Sequence, residues 1–440
     1  MPEEIQRTYR GKAWREVEEA DVPTGEERAI LIASLGCSAE EEADRLAEVR
    51  ELLRTAGAAV VDELVQHRDQ PDPRTYLGRG RLADLKEMVD RLKPDLVAAE
   101  GALTPGQQRQ LEDKLKVRVV DRTAVILDIF AQHARSAEGK LQVELAQLEY
   151  SYARQEGLWQ HLERLGGGVG TRGPGETQLE SDRRLVRNRM ATLRRRLRDV
   201  SRTRETQRGR RVASSIPRIA LAGYTNAGKS SLMNALADAG VRVNNALFET
   251  LDPTTRRMEA EGHELLLSDT VGFIRNLPHQ LVNAFSSTLE EVREADLILH
   301  VADASESESQ RTAQAQAVAA VLEEIGAGDV PRLSVMNKVD LLDDDGRLAL
   351  RGSDPKALAV SATTGEGLDE LRHALADAAR ARLERIDVTI PFAQTGLLSS
   401  IYADGREVTQ EATDTGTRVR ALITPSSAAR LRAALNTNGP

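Results

Sequence analysis

Residues 218–236 read RIALAGYTNAGKSSLMNAL. The apolar run Ile219 to Ala222 has the pattern of a strand buried on both faces, and SSLMNALAD at 230–238 continues with helical spacing. Between them, Gly223-Tyr224-Thr225-Asn226-Ala227-Gly228-Lys229-Ser230 matches GxxxxGK[ST], with Ser231 following inside the helix. Its glycines let backbone amides converge on phosphate oxygens, Lys229 reaches the β- and γ-phosphates, and the Ser230 hydroxyl suits Mg²⁺. A plain strand-to-helix turn is the bland alternative, and the position between strand and helix speaks against it. Working outward, further buried strands are predicted at LLLSD (265–269), LILHVAD (297–303), LSVMNK (333–338) and ALAVSA (357–362), with helical stretches such as Ser309 to Ile325 between them. Strand and helix in alternation predict a doubly wound, mostly parallel α/β sheet over residues 216–384.

Three further motifs follow in order. Asp269-Thr270-Val271-Gly272 closes the LLLSD strand, where the carboxylate can hold the metal shell and the Gly272 amide can meet a γ-phosphate that hydrolysis removes. Asn337-Lys338-Val339-Asp340 ends another strand. The Asp340 carboxylate can accept two parallel N–H bonds from the guanine edge, which adenine cannot supply, so Asp340 is expected to set base choice. Ser361-Ala362-Thr363 would complete the base pocket through backbone contacts. DxxG alone is weak; the order and spacing of all four motifs predict a GTP-binding, GTP-hydrolysing domain.

At 440 residues the chain is long enough for three or four units of roughly 100 to 200 residues. Short apolar runs alternate with helical patterns from ILIASL (30–35) through VRVVD (117–121), which predicts an α/β domain over 1–135; Thr104 with Pro105 marks one helix start. Residues 136–212 carry apolar positions 141, 145, 148, 152, 159 and 162, then Leu179, Val186, Met190, Leu193, Leu197 and Val200. These two heptad-like series predict an antiparallel αα-hairpin. Its tip, 166–175 within GGGVGTRGPGE, is no second nucleotide loop, because it follows a helix, lacks Lys-Ser/Thr after its last glycine and contains Pro174. It exceeds the usual connector of about 2 to 8 residues and carries Arg172, so it is expected to probe a crowded partner; a flexible connector is the alternative. Residues 385–440 predict a small α+β module.

Net charge is −9, yet Arg183 to Arg211 holds thirteen arginines against two acids, which leaves the remainder at −20. Such a segregated run points to phosphates, or else to a solvated face paired with the protein's own acids. Aromatics make up only 3%, so base stacking is scarcely available and contact with the backbone of a structured RNA is the expected mode. Anionic lipid is disfavoured, since the apolar seam is needed inside the hairpin. No apolar run approaches the ~20 residues of a membrane span. The N-terminus lacks an apolar targeting core, and the single Cys37 excludes an intramolecular disulfide; a cytoplasmic location is expected.

The combination of GGGVGTRGPGETQLESDRR (166–184), GYTNAGKSSLMNAL (223–236) and LFETLDPTTRR (247–257) resembles the HflX family of ribosome-associated GTPases, among the translation-factor-related P-loop GTPases. The markers span hairpin and GTPase domain, so the resemblance covers most of the chain. It implies a GTP/GDP-dependent factor that associates with the large (50S) ribosomal subunit and its rRNA and helps split or rescue stalled or stressed ribosomes, as a monomer without membrane insertion. It also implies a first switch in which Phe248, Glu249, Thr250, Leu251 and Asp252 flank the nucleotide and Thr250 closes over Mg²⁺ with Ser230 and Asp269; Thr254 and Thr255 are rival candidates. Lys229, Thr250, Gly272 and Asn226 are then the catalytic set. Asn226 resembles the phosphate-loop asparagine of potassium-stimulated GTPases, which brings K⁺ in as a second cofactor, with bracing of the loop as the alternative. Glu249 and Ser231 stand where the family more often has Ala and Thr. Phe273 occupies the position after DxxG where related GTPases carry a water-orienting Gln, so intrinsic hydrolysis is expected to be slow and partner-stimulated. A regulator of a protein partner, docking through the hairpin, remains the rival reading.

Overall fold

Four parallel strands in the order β2-β1-β3-β4 organise the first of two units, Met1–Arg122 and Thr123–Pro440. The computed structural model describes residues 26–165, 174–211, 216–237, 247–248, 254–275 and 286–436. In the first unit β1 (Glu27–Leu35), α1 (Ala39–Ala56), β2 (Ala58–His67), α2 (Arg79–Leu92), β3 (Leu96–Ala99), α3 (Pro105–Leu115) and β4 (Arg118–Asp121) alternate as the sequence predicts. Local chemistry sets the boundaries. Ser38 caps α1 by accepting from the Glu41 N–H, Gly57 ends it in the left-handed conformation, and Thr104 with Gln107 forms a reciprocal capping box ahead of Pro105. Ile30, Ile32, Val97 and Val119 from the sheet pack with Leu85 and Leu111 from the helices.

At the carboxyl edge of this sheet, the place where open α/β folds bind ligands, Tyr76 fills the space. Its hydroxyl accepts from the Ser34 and Gly101 N–H groups (3.3 and 3.2 Å), and the buried Glu100 accepts from both Arg45 Nε and Nη2 at 2.9 and 2.7 Å.

The second unit opens with α4 (Arg122–His133), which spans the division, and continues into α5 (Ala137–Leu165) and α6 (Pro174–Arg211). These are the two predicted helices. On α6, Val186, Met190 and Leu193 are buried as the heptad reading requires. On α5 the seam is broader than predicted: Val143 and Ala146 are buried beside Leu145, whereas Leu141 and Leu148 are only half-buried. Of the predicted tip 166–175, residues 166–173 lie outside the described residues, whereas Pro174 and Gly175 already belong to the first turn of α6.

The central sheet runs β10-β9-β8-β5-β7-β6. It contains β5 (Arg218–Gly223), β6 (Thr254–Ala260), β7 (His263–Asp269), β8 (Leu297–Asp303), β9 (Arg332–Asn337) and β10 (Leu358–Ala359). All neighbours are parallel except β6 and β7. The helices are α7 (Lys229–Ala237), α8 (Ser286–Arg293), α9 (Glu308–Glu324), α10 (Asp344–Ser353) and α11 (Leu368–Ala381). Ile219, Leu221, Leu267, Leu299 and Val301 form the sheet's core with Leu232 of α7 and Leu371 and Leu375 of α11. Two features differ from the sequence reading. The antiparallel edge strand β6 was not predicted, and ALAVSA supplies a strand of two residues only.

β11 (Glu384–Pro391), α12 (Gly396–Asp404), β12 (Arg406–Thr413), β13 (Gly416–Ile423) and α13 (Pro425–Asn436) follow, with an antiparallel sheet ordered β11-β13-β12. Arg418 and Arg420 converge on Asp387 and hold its carboxyl down to about 2, which ties β11 to β13. No helix among the described residues is long and apolar enough to cross a membrane.

Candidate nucleotide site

β5 lies between β7 and β8, so its carboxyl end is where the strand order reverses, and the phosphate loop leaves the sheet there. Asn226 turns the loop in the left-handed region (φ +61°) and is exposed. Gly228 follows at φ +85°, where a Cβ would fall 2.2 Å from Asn337 Nδ2, so no other residue fits that turn. Lys229 begins α7 and is 6% exposed; its ammonium donates to the carbonyls of Gly223 (3.1 Å) and Tyr224 (2.8 Å). The Ser230 hydroxyl donates to Asp269 Oδ2 at 2.6 Å, and that carboxylate is 1% exposed.

A buried carboxylate and a hydroxyl in contact form a hard-oxygen pair that fits Mg²⁺, whose remaining ligands would be phosphate oxygens and water. Among the described residues no three His, Cys, Asp or Glu side chains cluster as a self-sufficient metal site.

Burial lowers the Lys229 ammonium from 10.5 to about 8, with Asp269 opposing the shift. Phosphates beside it would raise it again, so above pH 8 nucleotide binding must take up a proton, and affinity should fall by up to about tenfold per pH unit. Titration calorimetry at pH 8.5 in two buffers of different ionisation enthalpy would show that proton uptake; identical enthalpies in both buffers would remove the shift.

On the base side, Asn337 is buried with both ends of its carboxamide engaged. Nδ2 donates to the Ala227 carbonyl (2.9 Å) and Oδ1 accepts from the Ala362 N–H (3.0 Å). It thus braces the phosphate loop against the 361–363 turn. Lys338, left-handed at φ +66°, donates to Asp303 at 2.6 Å. Val339 is core, and the buried Ser361 accepts from the Thr364 N–H. Asp340 and Thr363 are exposed. Asp340, the predicted base-side carboxylate, is thus open to solvent. Asp303 was missed by the sequence reading, although its place at the carboxyl end of LILHVAD put it on the same sheet edge.

After β7 the DxxG segment lies directly on the phosphate loop. The buried Thr270 hydroxyl donates to the Leu221 carbonyl (2.6 Å), and Val271 is buried. A Cβ on Gly272 would meet Thr225 Cα at 2.9 Å and Lys229 Nζ at 3.1 Å. Phe273 is fully buried, so its ring is a core anchor and faces no substrate.

Of the predicted first switch, Phe248 is described and Glu249, Thr250, Leu251 and Asp252 lie outside the described residues. Phe248 holds a left-handed backbone (φ +58°). Its ring meets Phe130 edge-on at 4.7 Å between centroids, and its carbonyl accepts from His133 Nδ1 at 2.9 Å. Its side chain is therefore committed to α4. Thr254 and Thr255 sit in β6, paired with Asp269 and Ser268, and the Thr255 hydroxyl contacts that of Ser268 at 2.9 Å. The Thr255 hydroxyl is thus engaged across the strand pair, and Thr254 lies opposite Asp269.

Several arginines of α6 are held within the hairpin. Arg189 grips Glu144 of α5 through two bonds (2.7 and 2.9 Å), Arg194 pairs with Glu149 at 2.8 Å, and Arg183 reaches the Tyr152 hydroxyl. These lock the hairpin together. Arg184, Arg195, Arg198 and Arg202 are exposed, and at 100° per residue they share one stripe on the side away from Val186, Met190 and Leu193.

A family model described as 50S ribosome-binding GTPase matches residues 218–338. GTP-binding GTPase N-terminal and GTP-binding GTPase Middle Region match 43–131 and 133–211, and HflX C-terminal domain matches 349–438. The chain is 44% identical over 399 residues to GTPase HflX of Lacrimispora saccharolytica, covering 90% of this chain and 94% of that protein. It is 43% identical over 379 residues to GTPase HflX of Escherichia coli, covering 86% and 88%. Among solved structures, a GTP-binding protein from Sulfolobus solfataricus in complex with GDP is 26% identical, covering 80% of this chain and 98% of that one, with a TM-score of 0.43. Motif order, the contacts of Lys229, Ser230 and Asp269, and this similarity along nearly the whole length agree: the chain belongs to the HflX family and is a GTPase.

Proposed function

We propose that this GTPase, loaded with GTP and Mg²⁺, binds the large ribosomal subunit through the exposed arginine stripe of α6, helps separate stalled or stress-damaged ribosomes, and leaves after hydrolysis. The observation that carries the reading is that Arg184, Arg195 and Arg198 share one solvent-facing stripe of α6, while Arg189 and Arg194 are taken up by Glu144 and Glu149. Guanidinium groups on a helix suit the phosphates of structured RNA and need no aromatic platform. The rival reading, a coil that docks on a protein, is less favoured because Val186, Met190 and Leu193 are already buried within the hairpin.

Ser230 and Asp269, joined by Thr250, are the proposed metal ligands, and Lys229, Gly272 and Asp340 the proposed contacts to phosphates and base. Asn226 is the proposed K⁺ ligand; its exposed position at the turn leaves its carboxamide accessible, and equal hydrolysis in Na⁺ and K⁺ buffers would dismiss it. The protein acts in the cytoplasm as a monomer on this reading.

Co-sedimentation with large subunits, using a non-hydrolysable GTP analogue against GDP, tests the proposal. Retention is expected with the analogue only. Converting Arg184, Arg195 and Arg198 to Gln should reduce the slope of log affinity against log salt by about three. Substituting Arg189 and Arg194 should instead loosen the hairpin. An unchanged slope in the threefold variant would sink the RNA interface.

A further inference from the structure

The phosphate loop and the DxxG segment are joined by more than the metal-side contact of Ser230 with Asp269. Beyond the end of the sheet, Tyr224 and Phe273 form an isolated parallel bridge. The Thr225 N–H donates to the Phe273 carbonyl at 2.8 Å, and the Phe273 N–H donates to the Gly223 carbonyl at 3.0 Å. One side chain of the loop adds to this. The Tyr224 hydroxyl accepts from the Arg275 backbone N–H at 2.8 Å, with the tyrosine itself buried. Gly272 lies between these ties, in a notch bounded by Thr225 and Lys229 that would not admit a Cβ.

We infer that Tyr224 is a positioning residue for hydrolysis: by holding the Arg275 N–H it fixes the path of residues 272–275, and so the placement of the Gly272 amide toward the terminal phosphate. The physical need follows from Phe273. A water-orienting side chain after DxxG would itself be guided by the substrate, but here that position is a buried phenyl ring. The segment's placement depends on what pins it from the loop side. Gly223, Thr225 and Phe273 do so through backbone groups that any sequence would offer. The phenol of Tyr224 is the contribution specific to this side chain, and it acts two residues beyond the anchor, where the bridge has ended. The loop's own amides would meet the α- and β-phosphates, whereas that hydroxyl accepts from the Arg275 N–H.

Tyr224→Phe tests this, since it keeps the ring and removes one acceptor. Single-turnover GTP hydrolysis should slow about 3- to 10-fold, the loss expected for one neutral hydrogen bond. Affinity for a non-hydrolysable triphosphate should fall by a similar factor, whereas GDP affinity should stay within about twofold, because the Gly272 amide can contact only the phosphate that GDP lacks. A purely structural role would lower all three together with the melting temperature. Unchanged or faster hydrolysis in Tyr224→Phe, or a uniform loss that includes GDP, overturns the inference. The wild-type protein run alongside keeps the two questions apart: an inactive wild type would count against the GTPase assignment, and an active wild type matched by the variant counts against Tyr224 alone.

Discussion

Asp340→Asn should lower GTP affinity about 10³- to 10⁴-fold and transfer preference to xanthosine triphosphate. The expectation rests on the pattern of donors at the base edge. Guanine offers two N–H groups side by side, and a carboxylate accepts both. An asparagine amide can accept one, and it turns its own N–H₂ toward the other, leaving two donors opposed. Xanthine carries a carbonyl where guanine carries its amino group, so the same amide becomes complementary. Asp340 is exposed in the middle of a short 3-10 turn, Val339–Leu341, so the substitution touches no core contact and should leave the melting temperature nearly unchanged. Competition binding with GTP, XTP and ATP decides the matter. Equal loss for all three nucleotides, or no loss, would mean that another group reads the base.

The expected behaviour of Asp340 could be read from four consecutive letters, and it is instructive to see which residues could not. Strands β5 and β8 were legible because burial on both faces leaves an unbroken apolar run, which few other structures tolerate. β6 was not legible: its pattern TTRRMEA is that of an edge, with two arginines exposed to solvent and only Met258 and Ala260 buried. Its ladder with β7 is a tertiary fact, and it sets Thr254 and Thr255 opposite Asp269 and Ser268. Asn337 shows a second limit. The motif marks it as important but is silent on how, and its two bonds to Ala227 and Ala362 cross 110 and 25 residues of sequence. The arginine run shows a third. Composition gave its charge, while the placing of Arg189 and Arg194 against α5, and of Arg184, Arg195 and Arg198 toward solvent, needed the register between two helices. Motif spacing thus reaches the chemistry of single groups; partner identity across the fold lies beyond it.

Lys229→Met should separate function from stability by moving them in opposite directions. Methionine fills nearly the same volume as the lysine stem and carries no charge. GTP affinity should fall about 10²- to 10³-fold, the scale of removing one member of a buried, hydrogen-bonded charge pair. Stability of the protein without nucleotide should rise. Burial lowers the Lys229 ammonium from 10.5 to about 8, so at pH 7 the folded chain holds a proton that its own interior disfavours. That penalty is present in full below pH 8 and disappears between pH 8 and 10.5, as the folded group becomes neutral ahead of the unfolded one. On the linkage scale it amounts to roughly 3 kcal/mol, against which stands the loss of donors to the Gly223 and Tyr224 carbonyls, about 1 kcal/mol each. The Gly223 carbonyl keeps the Phe273 N–H, so the loss on that side is softened and relief of burial is the larger effect. Urea unfolding at pH 7 after nucleotide removal would measure it, and the advantage should shrink as the pH is raised toward 10. A variant that is both weaker in GTP binding and less stable would show that Lys229 braces the loop structurally. The opposite signs argue that the fold tolerates a buried cation here because the phosphates it meets in the working enzyme restore what burial removes.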